Sequence, residues 1–306
     1  MFKPFYKSES HSNLMLIIVF LPLTLSFSLQ AKEVTMPYKR LTLNANLEMA
    51  EGKDFNDGMV LILHGYLAHN KMEIINTAQQ ALLDNARSSL AINLSLGIDN
   101  RHGYHGCSLP HRHIQDNAVY ELGAWVGWLR NKGATRVTLM GHSRGANQIM
   151  VYVVEQKDVE VTHMVMLAPG AGDDINKLYQ ERYGKSIDET LTYALKQIKA
   201  GKGDEFMENI DIPSCPKATI SANSFVSYYS ENNKFRQFNS YLPKSPIPTL
   251  ILAGTIDERQ PDIVELLSPI SDGKHIKVSV IEGAGHFFRD FNIEEAMEAA
   301  IEFIDE

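Results

Sequence analysis

The pattern of apolar and polar positions changes along the chain from alternation to continuous apolar runs. Residues 39–49 alternate, which is typical of a half-buried antiparallel edge strand or hairpin. Farther along, six short apolar runs are bounded by polar or glycine-rich turns, at residues 59–63, 90–96, 136–140, 161–168, 249–253 and 274–281. Continuous apolar runs are expected of parallel strands that are covered on both faces.

Amphipathic stretches at helical spacing lie between these runs, at residues 70–87, 114–132 and 293–303. Strands that alternate with helices in this way predict an α/β fold with a mostly parallel central sheet flanked by helices. The sequence contains no P-loop and no glycine-rich dinucleotide fingerprint.

Residues 174–240 interrupt the alternation. They are polar, helical in pattern and without an obvious buried strand, and Ser186 and Glu189 fit a capping box that opens a helix running to Ala200. An insertion between two sheet strands, on the carboxyl side, is expected to form a helical cap or lid. We therefore predict one domain over residues 32–306 that carries this insertion.

Residues 1–31 have the features of a secretory signal peptide. Two lysines precede an apolar run at 14–29, and Ala31 offers a small residue before a possible cleavage site at Lys32. The run is short for a membrane span and contains a proline. A retained anchor is the alternative, because Leu29 is a poor residue for the −3 position. We expect an exported protein, periplasmic or secreted, with no stable membrane anchor after cleavage.

Export changes the interpretation of the two cysteines, Cys107 and Cys215. An oxidising compartment would let them form a disulfide, which would tie the insertion to an earlier loop. The alternative is two unrelated buried thiols.

Composition and net charge indicate a globular protein and argue against nucleic-acid binding. A hydrophobic content of 44% and a charged content of 22% describe an ordinary globular protein. The formal net charge is −8, and no basic patch is present that could neutralise phosphates, so a nucleic-acid partner is not expected.

The pattern Gly141-His142-Ser143-Arg144-Gly145 lies between an apolar run and a helical one. In that context Gly-x-Ser-x-Gly predicts a nucleophile elbow, a sharp turn from strand to helix. Side chains at the two glycine positions would collide with neighbouring backbone, and the turn would hold Ser143 in a strained conformation. Ser143 is therefore the candidate nucleophile.

A serine hydroxyl needs a base to take its proton as it attacks. His286 lies in a glycine-flanked loop after the last predicted strand and is the candidate base. Asp257, in the loop after the preceding strand, is the candidate carboxylate that orients the imidazole. Glu258 is a less favoured acid, and the alternative for Asp257 is an ordinary turn aspartate.

The loop at residues 97–113 holds four histidines within twelve residues: His102, His105, His111 and His113. Their spacing matches no compact set of metal ligands, so we expect no metal. We interpret the segment as a polar loop at the carboxyl edge of the sheet, whose cationic side chains could attract an anionic group on a substrate.

Four motifs of the sequence are His64-Gly65, the Ser143 elbow, Gly254-Thr255-Ile256-Asp257 and Gly283-Ala284-Gly285-His286. Together they resemble the α/β-hydrolase superfamily, over residues 58–170 and 245–305. The order Ser, Asp, His is the order of this family. The resemblance also makes Asp173 or Asp174 an alternative position for the acid.

The resemblance places an oxyanion hole at the end of the run 59–63. The backbone N–H of Tyr66 or Leu67, together with that of Arg144, would bind the developing oxyanion. Gly65 would let the backbone approach, and we interpret His64 as a residue that orients this loop.

The resemblance implies a serine hydrolase that cleaves a carboxylic ester of a small or medium acyl substrate, with no cofactor and no metal, and the signal peptide expected over residues 1–31 makes it an exported one. An acyltransferase, a thioesterase or a peptidase would use the same residues. A non-catalytic binding protein on this fold is a further alternative.

Overall fold

A central sheet of eight strands organises the fold. The computed structural model describes residues 1–4, 32–170, 175–231 and 233–306. The strands are β1 (Lys32–Tyr38), β2 (Leu41–Glu48), β3 (Met59–Leu63), β4 (Ser88–Ile92), β5 (Val137–His142), β6 (Val161–Leu167), β7 (Phe206–Ile212), β8 (Cys215–Ser221), β9 (Thr249–Gly254) and β10 (Ile276–Ile281). The order in the large sheet is β1-β2-β4-β3-β5-β6-β9-β10. From β4 to β10 the neighbours in this sheet are parallel, whereas β2 is antiparallel to both β1 and β4.

Helices cover both faces of the sheet. In the described residues they are α1 (Glu73–Asp84), α2 (Gln115–Asn131), α3 (Arg144–Gln156), α4 (Ile175–Tyr183), α5 (Asp188–Lys199), α6 (Ala222–Tyr229), α7 (Phe238–Tyr241), α8 (Ile263–Leu267) and α9 (Phe291–Ile304). None of the helices within the described ranges is long and apolar enough to cross a membrane.

Strand β3 shows why the apolar runs are continuous. Leu61 and Leu63 belong to a core that also contains residues of α2 and α3, whereas Val60 and Ile62 belong to a second core with α1 and α9. Because successive side chains of a strand point to opposite faces, a strand between two helical layers must be apolar at every position. The predicted fold class, a mostly parallel α/β sheet, is confirmed.

Strand β2 differs from its prediction. Its alternation predicted one face in solvent, yet Asn44 and Asn46 are buried. Asn93 Nδ2 donates to Asn44 Oδ1 at 2.8 Å, and Asn46 Nδ2 donates to Gln79 Oε1 at 2.9 Å. Asn44 and Asn46 therefore face a buried network of amides. Strand β2 lies between β1 and β4, so it is an interior strand and not an edge strand.

The insertion is not entirely helical, which corrects the sequence-based expectation. β7 and β8 form an antiparallel hairpin between α5 and α6. Their sequences, FMENIDI and CPKATIS, mix apolar and polar residues without a continuous apolar run or a regular alternation, so the strand pattern is weak. The predicted capping box is also wrong: helix α5 begins at Asp188, whose N–H donates to Ser186 Oγ, and the N-cap Ile187 has no side-chain cap.

The insertion has an apolar core of its own. Tyr179, Ile212 and Phe225 are fully or almost fully buried in it, and Tyr66 packs against it from the edge of the main sheet. This second core gives the inserted helices and the hairpin a fixed structure. The limits proposed for the insertion, 174–240, remain a prediction.

The disulfide between Cys107 and Cys215 joins the histidine-containing loop to the hairpin. The two Cα atoms lie 5.4 Å apart, and 108 residues separate the cysteines in sequence. The backbone reinforces the join, because the His111 N–H donates to the Thr219 carbonyl and the Ser221 N–H donates to the His111 carbonyl. The loop thus lies alongside β8.

Three of the four histidines in this loop are buried, contrary to the expectation of a polar surface loop. Burial lowers the pKa of His105 to about 4 and that of His113 to about 3, and it also lowers the pKa of His111. The described residues contain no group of three or more His, Cys, Asp or Glu arranged to hold a metal. These histidines therefore act as neutral packing residues between the sheet and the insertion.

The predicted signal peptide lies outside the described residues, apart from residues 1–4, and stays a prediction.

The disulfide is expected to stabilise the protein substantially. A cross-link that closes a loop of about 100 residues contributes roughly 4–5 kcal/mol on the chain-entropy model. A reducing agent should therefore lower the urea midpoint of the wild type. The Cys107→Ser/Cys215→Ser variant should have a urea midpoint close to that of the reduced wild type, and the reductant should not change it. Equal midpoints for the oxidised and reduced wild type would contradict this role.

Stability should fall as the pH drops below about 6.5. In the unfolded chain His105 and His113 bind protons near pH 6.5, whereas in the fold they resist protonation until about pH 4 and about pH 3. In that window the unfolded state binds more protons than the folded state. Each histidine therefore lowers the free energy of unfolding by about 1.4 kcal/mol for each unit by which the pH falls. Urea unfolding between pH 7 and pH 4.5 measures the slope.

In the His105→Gln variant the free energy of unfolding should depend less steeply on pH, by about the 1.4 kcal/mol per pH unit that one histidine contributes. The same substitution at His102, whose ring is exposed, controls for the loss of a histidine from this loop. An unchanged slope in His105→Gln would show that burial of this ring does not govern the pH response.

Candidate active site

Ser143 lies at the turn between β5 and α3. Its backbone has φ 54° and ψ −125°, a region that residues other than glycine rarely adopt. A Cβ at Gly145 would lie 2.4 Å from the His64 carbonyl oxygen, and one at Gly141 would lie 2.7 Å from the Ala146 nitrogen. The strained turn and the requirement for both glycines are as predicted for an elbow.

Two loops at the same edge of the sheet carry Asp257 and His286. They touch at Gly254, where a Cβ would lie 2.1 Å from the Ala284 carbonyl oxygen, and the Ile256 N–H donates to that same oxygen at 3.0 Å. Glycine is therefore required at position 254 for the two loops to approach.

The structure brings Ser143, His286 and Asp257 together. His286 Nε2 lies 2.9 Å from Ser143 Oγ, and His286 Nδ1 lies 2.9 Å from Asp257 Oδ2 and 3.1 Å from Oδ1. An ionised carboxylate can only accept, so Nδ1 carries the proton and Nε2 is left to accept from the Ser143 hydroxyl. Both Asp257 and His286 are buried, at 2% and 5% exposure.

Asp257 remains ionised despite its burial. Burial opposes the charge, but hydrogen bonds from His286 and from the Arg259 and Gln260 N–H groups outweigh it and hold the pKa below its ordinary value. The carboxylate is thus fixed by its own loop before it orients the imidazole.

The alternative acids are placed differently. Glu258 Oε2 accepts from the backbone N–H of His286 at 3.1 Å, and that hydrogen bond lowers the Glu258 pKa. Glu258 therefore holds the backbone of the histidine loop, while Asp257 bonds the ring. Asp173 and Asp174 lie outside the described residues.

His142 is a positioning residue that the sequence analysis did not single out. Its Nε2 lies 2.9 Å from the His286 carbonyl oxygen, and its ring packs 5.1 Å from the His286 ring. Burial lowers the His142 pKa to about 4, so the ring is neutral and Nε2–H donates to the carbonyl. The only sequence signal was its place before Ser143 in the elbow.

The two segments expected to carry the oxyanion donors pass close to Ser143. A Cβ at Gly65 would lie 3.3 Å from the Ser143 Cβ, so the β3 loop passes close to the nucleophile. Arg144 is the first residue of α3, and an N–H at that position has no acceptor within its helix. The N–H groups of Tyr66 and Arg144 thus belong to segments that border Ser143 on two sides.

His64 is found where an orienting residue is expected. The Leu94 N–H donates to His64 Nε2 at 3.2 Å, and the opposite nitrogen, Nδ1, donates to the Gly65 carbonyl at 2.8 Å. Burial, together with the nearby Arg101, lowers the His64 pKa to about 3. The ring is therefore neutral and bridges the β3 loop to the segment after β4.

A cavity of about 700 Å³ opens at Ser143 and His286. The insertion contributes one wall through α4, the turn between β7 and β8, and Tyr229, while α1 contributes Ile74 and Ile75. From the histidine-containing loop, Tyr104 lines the cavity. The insertion thus shapes the space in which a substrate would lie.

Tyr66 links the site to the insertion. Its hydroxyl lies 2.9 Å from the Tyr229 hydroxyl and 3.2 Å from Ser214 Oγ, next to the disulfide at Cys215. These contacts join residues about 150 positions apart, so no local pattern in the sequence indicated them.

Solved structures support the fold assignment. Est1E from Butyrivibrio proteoclasticus is similar over 90% of this chain and 99% of its own, with 18% identity and a TM-score of 0.62. Est1E has also been solved with ferulic acid bound. GrgF, an α/β hydrolase from Penicillium sp. sh18, matches over 90% of this chain and 98% of its own, with 15% identity and a TM-score of 0.64.

An α/β serine hydrolase homologue from Coxiella burnetii matches over 89% of this chain and 96% of its own, at 15% identity and a TM-score of 0.55. At such identities the likeness shows the fold alone, and that fold is the α/β-hydrolase fold.

No curated protein matches the sequence. A family model described as "Protein of unknown function (DUF1749)" matches residues 111–302, more than half of the chain and a span that includes Ser143, Asp257 and His286. On that match, the protein belongs to the DUF1749 family.

Proposed function

We propose that the protein is a serine hydrolase that cleaves a carboxylic ester through an acyl-enzyme intermediate. The observation that carries this proposal is the aligned set Asp257–His286–Ser143, with hydrogen bonds of 2.9 Å on both sides of the imidazole. A cavity adjoins the set, and the strained elbow presents the serine to it.

In the proposed reaction Ser143 Oγ attacks the ester carbonyl as His286 Nε2 takes its proton. The carbonyl oxygen becomes an oxyanion, which the N–H groups of Tyr66 and Arg144 stabilise together with the positive end of α3. The C–O bond to the alcohol then breaks, and His286 gives its proton to the leaving oxygen. Water repeats the sequence and releases the acid from the serine.

Asp257 stabilises the imidazolium that forms in each half of the reaction. Its carboxylate is already held by two backbone N–H groups, so it has little reorganisation to undergo when the charge appears. His142 and Glu258 hold the backbone of residue 286 from two sides, through its carbonyl and its N–H.

The substrate proposed is a small or medium acyl ester. The cavity volume lies in the range of small-molecule sites, and the similar Est1E has been solved with ferulic acid, a small carboxylic acid. The chemistry proposed requires neither a metal nor an organic cofactor.

We also propose that the protein is exported and acts in the periplasm or outside the cell. The basic start and the apolar run within residues 1–31 support this, and so does the Cys107–Cys215 disulfide, because such bonds persist in oxidising compartments.

Replacing Ser143 by alanine should abolish labelling by a fluorophosphonate probe. It should also reduce turnover of p-nitrophenyl esters by about 10⁴-fold or more, because the nucleophile is lost. Ser214→Ala is the matched control: this serine lines the same cavity without a histidine partner and should leave labelling in place. A folded Ser143→Ala variant with wild-type rates would refute the proposal.

Asp257→Asn should reduce kcat by about 10³- to 10⁴-fold, because an amide favours the wrong histidine tautomer. Glu258→Gln keeps an oxygen that can accept the His286 N–H and should cost less than about tenfold. Circular dichroism checks that both variants fold. A mild effect in Asp257→Asn with a severe one in Asp173→Asn or Asp174→Asn would move the acid to the earlier loop.

A further inference from the structure

The cavity beside Ser143 differs in charge from the rest of the protein. The chain has a formal net charge of −8. Yet four arginines line the cavity, Arg144, Arg182, Arg236 and Arg259, against a single acidic residue, Glu181, among its described lining residues. A cleft with one sign of charge concentrates ligands of the opposite sign. Resting on the esterase function proposed above, we propose that the substrate is an ester with a free carboxylate, which Arg144 binds.

Arg144 is held in place by neutral groups. Its guanidinium lies 5.3 Å from the centre of the Tyr66 ring and 5.7 Å from that of Tyr228, and its Nη1 donates to Gln115 Oε1 at 3.1 Å. Cation–π contacts with two rings and the hydrogen bond to Gln115 together restrain the guanidinium. The side chain is therefore oriented before a ligand arrives.

No carboxylate in the described parts of the chain lies within ion-pair distance of Arg144. Elsewhere, Arg130 reaches two carboxylates, Asp158 at 3.8 Å and Glu160 at 3.6 Å. Arg144 is only partly exposed, so its charge is less well solvated than a surface charge and gains more from an anionic partner. A ligand carboxylate would supply that partner.

The fork of the guanidinium suits a carboxylate. Gln115 engages one nitrogen, which leaves further N–H donors of the same plane for two carboxylate oxygens. Arg182 already donates to the Pro213 carbonyl, Arg236 has another contact, and Arg259 is exposed. Arg144, directly after the nucleophile, is thus the arginine that binds the substrate carboxylate. The other three arginines add to the positive electrostatic potential of the cavity.

The test compares charged and neutral esters of the same shape. On the acyl side the pair is mono-p-nitrophenyl glutarate and its methyl ester, followed by release of p-nitrophenol. On the alcohol side the pair is the butyryl ester of 4-hydroxybenzoate and that of methyl 4-hydroxybenzoate. The preference is the ratio of kcat/KM for the charged member to that for the neutral one.

In one of the two pairs the wild type should prefer the charged ester by about tenfold to a hundredfold, mainly through KM, because a charge-assisted pair forms on binding. Sodium chloride should weaken the preference. Arg144→Gln should remove most of the preference and leave only the part that the field of the other arginines supplies. Arg144→Lys, which keeps the charge without the fork, should retain more of the preference than Arg144→Gln. Arg130→Gln, on the surface away from the cavity, is the matched control and should retain all of it.

The outcomes separate this inference from the proposed function. Hydrolysis that depends on Ser143 but shows no preference in either pair, or a preference that Arg144→Gln leaves undiminished, overturns the role of Arg144 and leaves the esterase intact. No hydrolysis of any ester, together with no fluorophosphonate labelling of the folded wild type, overturns both.

Discussion

The lack of space around the turn after β5 is the constraint on which the site depends. The His64 carbonyl and the first turn of α3 approach Gly145 and Gly141 so closely that neither position can carry a side chain. This packing holds Ser143 at a positive φ, and it brings the β3 loop against the nucleophile through Gly65. The strain at one residue is thus maintained by the close packing of two strands and a helix.

A second close contact fixes the other half of the site. Where Gly254 meets Ala284, the loops after β9 and β10 are joined by backbone hydrogen bonds, so the distance between Asp257 and His286 is set by the sheet itself. The insertion contacts the same region, because Ser214 in the turn between β7 and β8 hydrogen-bonds to Tyr66 in the β3 loop. The disulfide at Cys215 fixes the hairpin that carries Ser214. Distant parts of the sequence therefore meet at one edge of the sheet.

Burial decides the protonation of the groups around the site. His64 and His142 are kept neutral because the interior disfavours their charged forms, and as neutral rings they can each donate one hydrogen bond to a carbonyl. Asp257 stays charged in the same region because three donors face it. The guanidinium of Arg144, in contrast, contacts only neutral groups among those described: the rings of Tyr66 and Tyr228 and the side-chain amide of Gln115.

The sequence by itself determined the parallel sheet, the elbow and the roles expected of Ser143 and His286, because continuous apolar runs and glycine spacing are local signals. Only the tertiary structure showed that Asp257 contacts the His286 ring whereas its neighbour Glu258 contacts the His286 backbone. It also decided that Asn44 and Asn46 of β2 face a buried amide network and that β7 and β8, whose apolar pattern is weak, are strands. Those outcomes depend on partners far away in sequence, and local periodicity carries no information about such partners.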